Sequence, residues 1–497
     1  MPPVLLTRAI AVPTIRVGQN IASSHGGSLK LTYPMQTAPI AADVPRSHRV
    51  YFEVFGCQMN KLDAELMLEG LKRKGYFLVH DPDDAGVILY NTCSVREHAE
   101  ERAVMRMTSF KKRKQQEPEL IIGLTGCVAQ HKQDQLSQRA PWIDLIVGTR
   151  EFDRLPELIE EARGESSTLL ATDMDSPLEF VRQRNLGPNR WHAFVSVMRG
   201  CDMVCTYCIV PTTRGKEVSR PPDEILDEVR RLADTGVKEI TFLGQTVNSY
   251  GKRLGQGVGL DTLLRGVEEI DGIERCHFIT SHPRFLRPKL IRAMAECTKV
   301  MDYLHLPVQS GSDSMLARMK RTYDRSFYLH VIDRLREKIP DITLATDFIV
   351  GFPGETQEEF DRSLSLVSEV GFDHSYVFQY SPRPGTVSDA RMSDDIPLDV
   401  KKQRNHQLLA AVSAEAESRN QRFIGRRVEV LAEGPSRLDE SRWAGRAGDH
   451  RIVIWPAQDD EEAGSFVVVE VDRTSSATLY GQRVTGPTQR PTLQISK

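Results

Sequence analysis

The chain has 497 residues, of which 40% are hydrophobic and 27% charged, with a formal net charge of −3. That length exceeds what one hydrophobic core supports and predicts two to four domains. The balanced charge excludes a broad basic field for gripping nucleic acid, no apolar run reaches a membrane span, and eight Cys are too few for a disulfide framework; a reduced, cytoplasmic setting is expected.

Residues 1–42 contain no Asp or Glu but carry Arg8, Arg16 and Lys30. Pro and Gly interrupt any sustained amphipathic helix there, so residues 1–48 read as a disordered extension rather than a targeting segment. From Arg49 the pattern alternates over 49–165. Strands are predicted at Val50–Phe55, Val87–Tyr90 and Leu120–Leu124, and helices at Lys61–Lys74, from about Arg96 to Lys114, and after His131. Such alternation predicts a doubly wound parallel sheet. Cys57, Cys93 and Cys127 fall at matching points, each after a strand and before a helix, 36 and 34 residues apart. Ligands of such sheets bind outside the carboxyl ends of the strands, where helix N-termini favour anions. Three loops there would gather three thiols into an iron–sulfur site with one open iron; three core thiols is the alternative. The basic run Lys111–Lys114 reads as a solvated helix face, with phosphate contact as the alternative.

The central segment, 187–420, continues the alternation. Predicted strands are Ala193–Val197, Glu239–Leu243, Cys276–Ile279, Tyr303–Leu306, Leu344–Val350 and Ser375–Phe378, with a helix at Pro222–Asp234. Six βα units fit a partial (β/α) barrel with its chemistry at the strand C-termini. Directly after the first strand come Cys201, Cys205 and Cys208, spaced Cys-x3-Cys-x2-Cys. A structural zinc site closes with four protein ligands, and no second pair follows. Three thiols suit a 4Fe–4S cluster that leaves one iron for an exogenous ligand. Zinc completed by a distant residue, or three structural thiols, are the alternatives. Leu243-Gly-Gln-Thr246 and Gly351-Phe-Pro-Gly-Glu355 also lie at strand ends. Cys276 and Cys297 read as buried small hydrophobes.

After a polar helix from about Leu398 to Arg422, short β runs at Val428–Leu431, Arg451–Trp455 and Ser465–Val469 predict a small antiparallel barrel over 421–487. This segment holds nine Lys/Arg and eleven Asp/Glu, so RNA contacts would fall to a few placed side chains such as Arg426, Arg427 or Arg442. Asp459–Glu462 reads as a solvated hairpin tip.

The triad, with Tyr207 before its third Cys, resembles the radical S-adenosylmethionine (SAM) superfamily. Gly-Cys-Gln-Met-Asn, Asn-Thr-Cys-Ser-Val-Arg-Glu, Gly-Cys-Val-Ala-Gln and Thr213-Arg-Gly-Lys-Glu-Val-Ser-Arg220 extend the resemblance to the tRNA branch of the methylthiotransferases, over residues 49–487. The resemblance implies an α/β multidomain enzyme: an N-terminal auxiliary-cluster domain, a radical SAM core and a C-terminal TRAM barrel. It gives Cys201, Cys205 and Cys208 to a SAM-cleaving 4Fe–4S cluster and Cys57, Cys93 and Cys127 to an auxiliary one. Gln245 and Gly351 fall where the superfamily holds SAM; no catalytic residue beyond the cluster ligands is implied. The implied reaction adds a methylthio group to C2 of N6-isopentenyladenosine at position 37 of tRNA. The cleaved SAM would yield a 5′-deoxyadenosyl radical, and a second SAM would supply the methyl group. A one-electron reductant protein and a sulfur donor would be partners of a monomer. Alternatives are the same chemistry on threonylcarbamoyladenosine tRNA or on an aspartate of a small-subunit ribosomal protein. A non-catalytic, metal-loaded RNA-binding protein is the alternative of another class.

Overall fold

The computed structural model describes residues 29–30, 44–94, 97–176, 190–255 and 257–485. Most of the expected N-terminal extension, and residues 486–487 of the expected barrel, lie outside these residues. Strand β1 (Leu29–Lys30) falls within that extension and pairs antiparallel with Val54 and Glu53.

The first sheet contains β2 (Arg49–Val54), β3 (Phe77–Leu78), β4 (Val87–Thr92), β5 (Ile121–Gly126), β6 (Leu145–Val147) and β7 (Leu169–Ala171), mutually parallel. Helices α1 (Gln58–Arg73), α2 (Glu97–Thr108), α3 (Lys111–Gln116), α4 (Cys127–Arg139) and α5 (Leu155–Gly164) connect them. β4 and β5 are buried along their whole length, as continuous apolar runs covered on both faces require. Separate apolar cores fill the two faces. β3 and β4 lie on opposite sides of β2, so the winding direction reverses between β2 and β4. This is the switch point at which doubly wound sheets bind ligands. The unit extends past residue 165, because β7 completes its edge. The helix expected from Arg96 to Lys114 is two helices, interrupted at Ser109 and Phe110. Half of the basic run is structural: Arg113 caps the carbonyls of Pro82 and Ala85, and Lys114 pairs with Asp144 at 2.7 Å.

The central unit has six parallel strands. β8 (His192–Ser196), β11 (Glu239–Leu243) and β12 (Arg275–Phe278) form one ladder, and β13 (Tyr303–His305), β14 (Thr343–Val350) and β15 (His374–Gln379) the other. A bridge between Cys276 and Val300 and the Ser281 N–H to His305 O bond (3.2 Å) join them into an open barrel. Between β8 and β11, β9 (Met198–Arg199) and β10 (Val218–Ser219) pair antiparallel at the base of the Cys201–Cys208 loop. Helix α6 (Val210–Arg214) ends that loop, and α7 (Pro222–Asp234) starts with Pro, whose missing N–H costs nothing in a first turn. Alternate residues such as Val195, Ile240, Phe242, Cys276 and Phe278 point outward into one large core beneath the helices, which also holds Cys297.

Helix α8 (Leu398–Asn420) leads to a closed barrel of β16 (Arg427–Ser436), β17 (Asp439–Ala447), β18 (Ile452–Pro456), β20 (Thr478–Val484) and β19 (Phe466–Thr474), in that spatial order. It is not wholly antiparallel: β18 and β20 pair parallel. The Asp459–Glu462 segment is therefore a crossover between strands that are not neighbours rather than a hairpin tip. Glu461 is buried, accepting from Trp455 Nε1 at 2.6 Å, while Asp460 is exposed and pairs with Arg483.

The barrel is bonded to the central unit. Arg275 donates to the carbonyls of Arg446 and Glu429, and Lys238 to that of Gly464. Arg451, 1% exposed, donates to Asn420 and Thr343 and pairs with the fully buried Asp373, which also takes Arg419 at 3.0 Å. Removing one member of a buried ion group strands the rest. Arg451→Met should lower stability by about 2 kcal/mol or more, read as an earlier midpoint in urea denaturation; an unchanged midpoint would show that Arg419 and Arg422 together suffice to neutralise Asp373.

Candidate active site

Cys57, Cys93 and Cys127 follow β2, β4 and β5, three adjacent parallel strands, so chain direction alone brings their loops to one edge. Cys57 is the N-cap of α1 and Cys127 the first residue of α4. Gly56 has φ of +141°, and a Cβ there would lie 2.5 Å from the Cβ of Cys93. Only glycine permits that approach. Asn60 accepts from Cys57 Sγ (3.2 Å) and donates to Asn91 Oδ1 (3.2 Å) and Thr92 O (3.0 Å), while Asn91 returns a bond to Asn60 O (2.8 Å). These bonds tie the start of α1 to the end of β4.

The hydrogen bond with Cys93 pulls the Cys57 thiol down to about 6, against burial, and the positive charge of Arg214 assists. Burial pushes the Cys127 thiol up, with Arg214 opposing. Arg214 is itself buried and pairs with Asp63 at 2.7 Å; its Nη1 has no hydrogen-bond partner among the described residues. An unfilled guanidinium donor close to Cys57 and Cys127, the first of them inclined to ionise, fits an anionic iron–sulfur group.

The second triad lies in the loop between β9 and α6. Gly200 has φ of +78°, and a Cβ there would meet Lys216 O at 2.1 Å. Cys201 donates its N–H to Gly215 O (3.0 Å), and its Sγ receives the Met203 N–H (3.4 Å) and lies 3.2 Å from Thr246 Oγ1. Arg321 donates to Cys205 Sγ at 3.4 Å and to Tyr207 Oη at 3.5 Å. Burial, with the charge of Cys205, pushes the Cys208 thiol up to about 12. Metal loading would have to displace that proton. Among the described residues no three His, Cys, Asp or Glu side chains close on a single metal ion.

The end of β11 and the loop after it run between the two triads. Leu243 packs in a small apolar group with Met59, Leu62, Leu66, Cys57, Phe194 and Ile279, and Thr246 contacts Cys201. Between them Gln245 Oε1 is buried without a partner among the described residues, an acceptor left open for a ligand donor. Gly351 differs: its N–H is committed to Glu355 Oε2 at 2.7 Å, and a Cβ there would strike the Lys401 side chain. It shapes the turn, and its amide is not free.

Several inward-facing positions of the central strands are polar. His192 Nε2 lies 2.8 Å from Thr241 Oγ1, which lies 3.0 Å from His277 Nε2; His305 Nε2 is 3.0 Å from Asp347 Oδ1. Burial holds the His277 imidazole down to about 3 and His192 well below its usual range, so both stay neutral at physiological pH. Sequence patterning did not single out Asp63, Arg199, Arg214 or Arg321. Asn60 and Arg214 stood inside motifs read for other residues, whereas Asp63 lies in an ordinary helical run and carries no local signal.

Residues 195–367 match the Radical SAM superfamily, and residues 49–148 match the uncharacterized protein family UPF0004. The chain is 44% identical over 418 residues to the tRNA-2-methylthio-N(6)-dimethylallyladenosine synthase of Bordetella petrii, covering 83% of this chain and 86% of that one. The corresponding synthase of Bordetella pertussis is 44% identical over 88% of this chain and 98% of its own length. That of Rhodopirellula baltica is 39% identical over 87% and 95%. Among solved structures, the radical S-adenosylmethionine methyltransferase TsrM from Kitasatospora setae aligns with a TM-score of 0.49 at 11% identity, covering 69% of this chain and 74% of that one. With identity of this level across nearly the full length of its relatives, the chain belongs to the tRNA-2-methylthio-N(6)-dimethylallyladenosine synthase family of radical SAM enzymes.

Proposed function

We propose that this chain adds a methylthio group to C2 of N6-isopentenyladenosine at position 37 of tRNA, with Cys201, Cys205 and Cys208 holding the SAM-cleaving cluster and Cys57, Cys93 and Cys127 the auxiliary one. The observation that carries the reading is the Leu243–Thr246 segment: Leu243 belongs to the apolar cluster on which Cys57 also packs, and Thr246 Oγ1 lies 3.2 Å from Cys201 Sγ. Adenine C2 bears an unactivated hydrogen with no acid–base route to its replacement, so the two thiol sites must serve one base between them. Bound there, the clusters supply one-electron cleavage of SAM and a point of attachment for sulfur.

The chain's own residues position and shield. Gln245 Oε1 would accept from the amino group of SAM, and the turn at Gly351 would border the nucleoside. The neutral His192–Thr241–His277 chain suits hydrogen bonding to an uncharged purine. Phe194 and Ile279, packed beside Cys57, give an apolar wall for a branched five-carbon tail. That wall favours the isopentenyl substrate over the carboxylate-bearing threonylcarbamoyl group.

The tRNA backbone needs cations that the protein does not neutralise internally. Among the described residues Arg427 and Arg442 are paired with Glu470 and Asp439. Lys61, one turn after Cys57, feels the like charges of Arg446 and of the exposed Arg437 on the β16–β17 turn. Lys61 and Arg437 face phosphate in this reading.

Anaerobically reconstituted protein should carry about eight irons, as two four-iron clusters. Replacing Cys201, Cys205 and Cys208 by Ala should halve the iron and abolish deoxyadenosine release. Replacing Cys57, Cys93 and Cys127 should halve the iron, retain deoxyadenosine release and stop methylthio product in nucleoside mass spectrometry; Gly56→Ala should behave the same way. Methylthiolation at the wild-type rate in the second variant would defeat the auxiliary assignment. Lys61→Glu with Arg437→Glu should weaken tRNA binding about tenfold at low salt and flatten its salt dependence by about two phosphate contacts. Gel-shift titration at several salt concentrations measures it, and unchanged affinity would move the RNA elsewhere.

A further inference from the structure

The Cys201–Cys208 loop has a second side, away from the auxiliary thiols. Val204, between two cluster ligands, is 63% exposed. The loops after β11, β12 and β13 surround it with cations set on aromatic rings. Lys252 Nζ lies 5.9 Å from the Phe285 ring centre, Arg284 lies 5.7 Å over Phe327, and Arg321 lies 5.2 Å over Tyr323. The rings connect: Phe285 to His282 at 5.6 Å, His282 to Tyr323 at 5.4 Å, and Tyr323 to Phe327 at 6.3 Å. A surface cavity of about 360 Å³ opens here, lined in part by Arg284, Arg321, Thr322, Tyr323 and Phe327. From its wall Arg321 reaches Cys205 Sγ at 3.4 Å.

The patch carries an excess of positive charge. Lys252 and Arg284 are exposed and form no ion pair among the described residues, and Lys320, next to Arg321 in the chain, is also exposed. The two carboxylates lining the cavity, Asp313 and Asp324, accept the backbone N–H groups of Arg325 and Phe327 and are outnumbered by these cations. Asp202 is taken by Arg253 at 2.7 Å. On the other flank of the loop, Arg199 and Arg214 are buried against Asp63 of the first unit. Redox chemistry at Cys201–Cys208 therefore has one side given to substrate and one side left to solvent.

We propose that this patch is the docking surface for an acidic one-electron carrier protein that reduces the cluster. The proposal rests on the assignment of Cys201, Cys205 and Cys208 as cluster ligands. Electron transfer falls steeply with distance, so a carrier must dock where the cluster lies nearest the surface; Arg321 and Cys205 mark that point. One electron leaves the reduced cofactor of the carrier and enters the cluster, with no atom or proton transferred. Unpaired cations around an exposed apolar residue suit a small, transient, electrostatically steered complex. RNA is the other polyanion such a patch could hold, but the reach of Arg321 to Cys205 Sγ and the exposed apolar Val204 next to Cys205 in the chain favour a redox partner.

The test uses reconstituted full-length enzyme carrying Lys252→Glu and Arg284→Glu together, with Lys338→Glu, exposed ahead of β14 at the other end of the strands, as a remote surface control. The probe is purified flavodoxin, an acidic FMN protein, and dithionite serves as a small reductant that needs no docking. Calorimetry reads flavodoxin affinity at low and high salt, stopped-flow absorbance reads cluster bleaching, and gel shift reads tRNA affinity. Expected are about tenfold or greater losses in flavodoxin affinity and in flavodoxin-driven bleaching at low salt. Dithionite-driven bleaching and tRNA affinity should match the control. Unchanged flavodoxin affinity in the double variant would overturn the proposal, and so would a fall in tRNA affinity in its place. Absence of any dithionite bleaching in the wild-type protein would remove the cluster assignment beneath it.

Discussion

A buried carboxylate joins the helix that carries one cysteine triad's first member to the loop that carries the other triad. Asp63 is fully buried on α1, six residues after Cys57, and contacts Arg214 at 2.7 Å and Arg199 at 3.3 Å. Arg199 immediately precedes Gly200 and Cys201, and Arg214 closes the helix that follows Cys208. The ion group thus clamps the helix that presents the first triad to both ends of the loop that presents the second. Burying three charges is expensive, and replacing them with apolar side chains would often be no less stable. What an apolar seam lacks is a fixed register. An ion group with few satisfactory geometries sets the separation of the triads, which loose packing could let slide.

The other features follow from that clamp. With α1 fixed, Leu62 and Leu66 pack on Leu243, so the β11 loop lies between the triads with the unpartnered Gln245 oxygen. Arg214 answers Asp63 with one nitrogen and leaves the other beside the thiols. The C-terminal barrel is bonded to the central unit through Arg275, Arg446 and Arg451, and burial, assisted by the positive charge of Arg446, keeps His192 and His277 neutral. The site therefore has three walls from three units, and none is complete alone.

Much of this was legible in the sequence because period and position speak directly. Apolar runs marked β4, β5 and all six central strands, and strand-to-helix transitions put three Cys at one edge without any contact being known. The misses have physical causes. β17 (Asp-Glu-Ser-Arg-Trp-Ala-Gly-Arg-Ala) is largely polar because a small barrel faces solvent on one side, so it lacked an apolar run. Asp459–Glu462 read as a solvated tip because composition cannot tell a hairpin from a crossover; Trp455 and Arg483 bury Glu461 there. Asp63 had no signal because its partners are 136 and 151 residues away, and pairing at that range is a property of the fold.

The central claim is that two clusters share one lumen, held at a fixed separation by the Asp63 clamp. Electron paramagnetic resonance of the reduced, fully reconstituted enzyme tests it most directly. The account predicts signals from two 4Fe–4S centres that broaden each other by dipolar coupling, with the coupling vanishing when Cys57, Cys93 and Cys127 are replaced. Two signals that relax independently, each identical to that of the single-cluster variants, would contradict it.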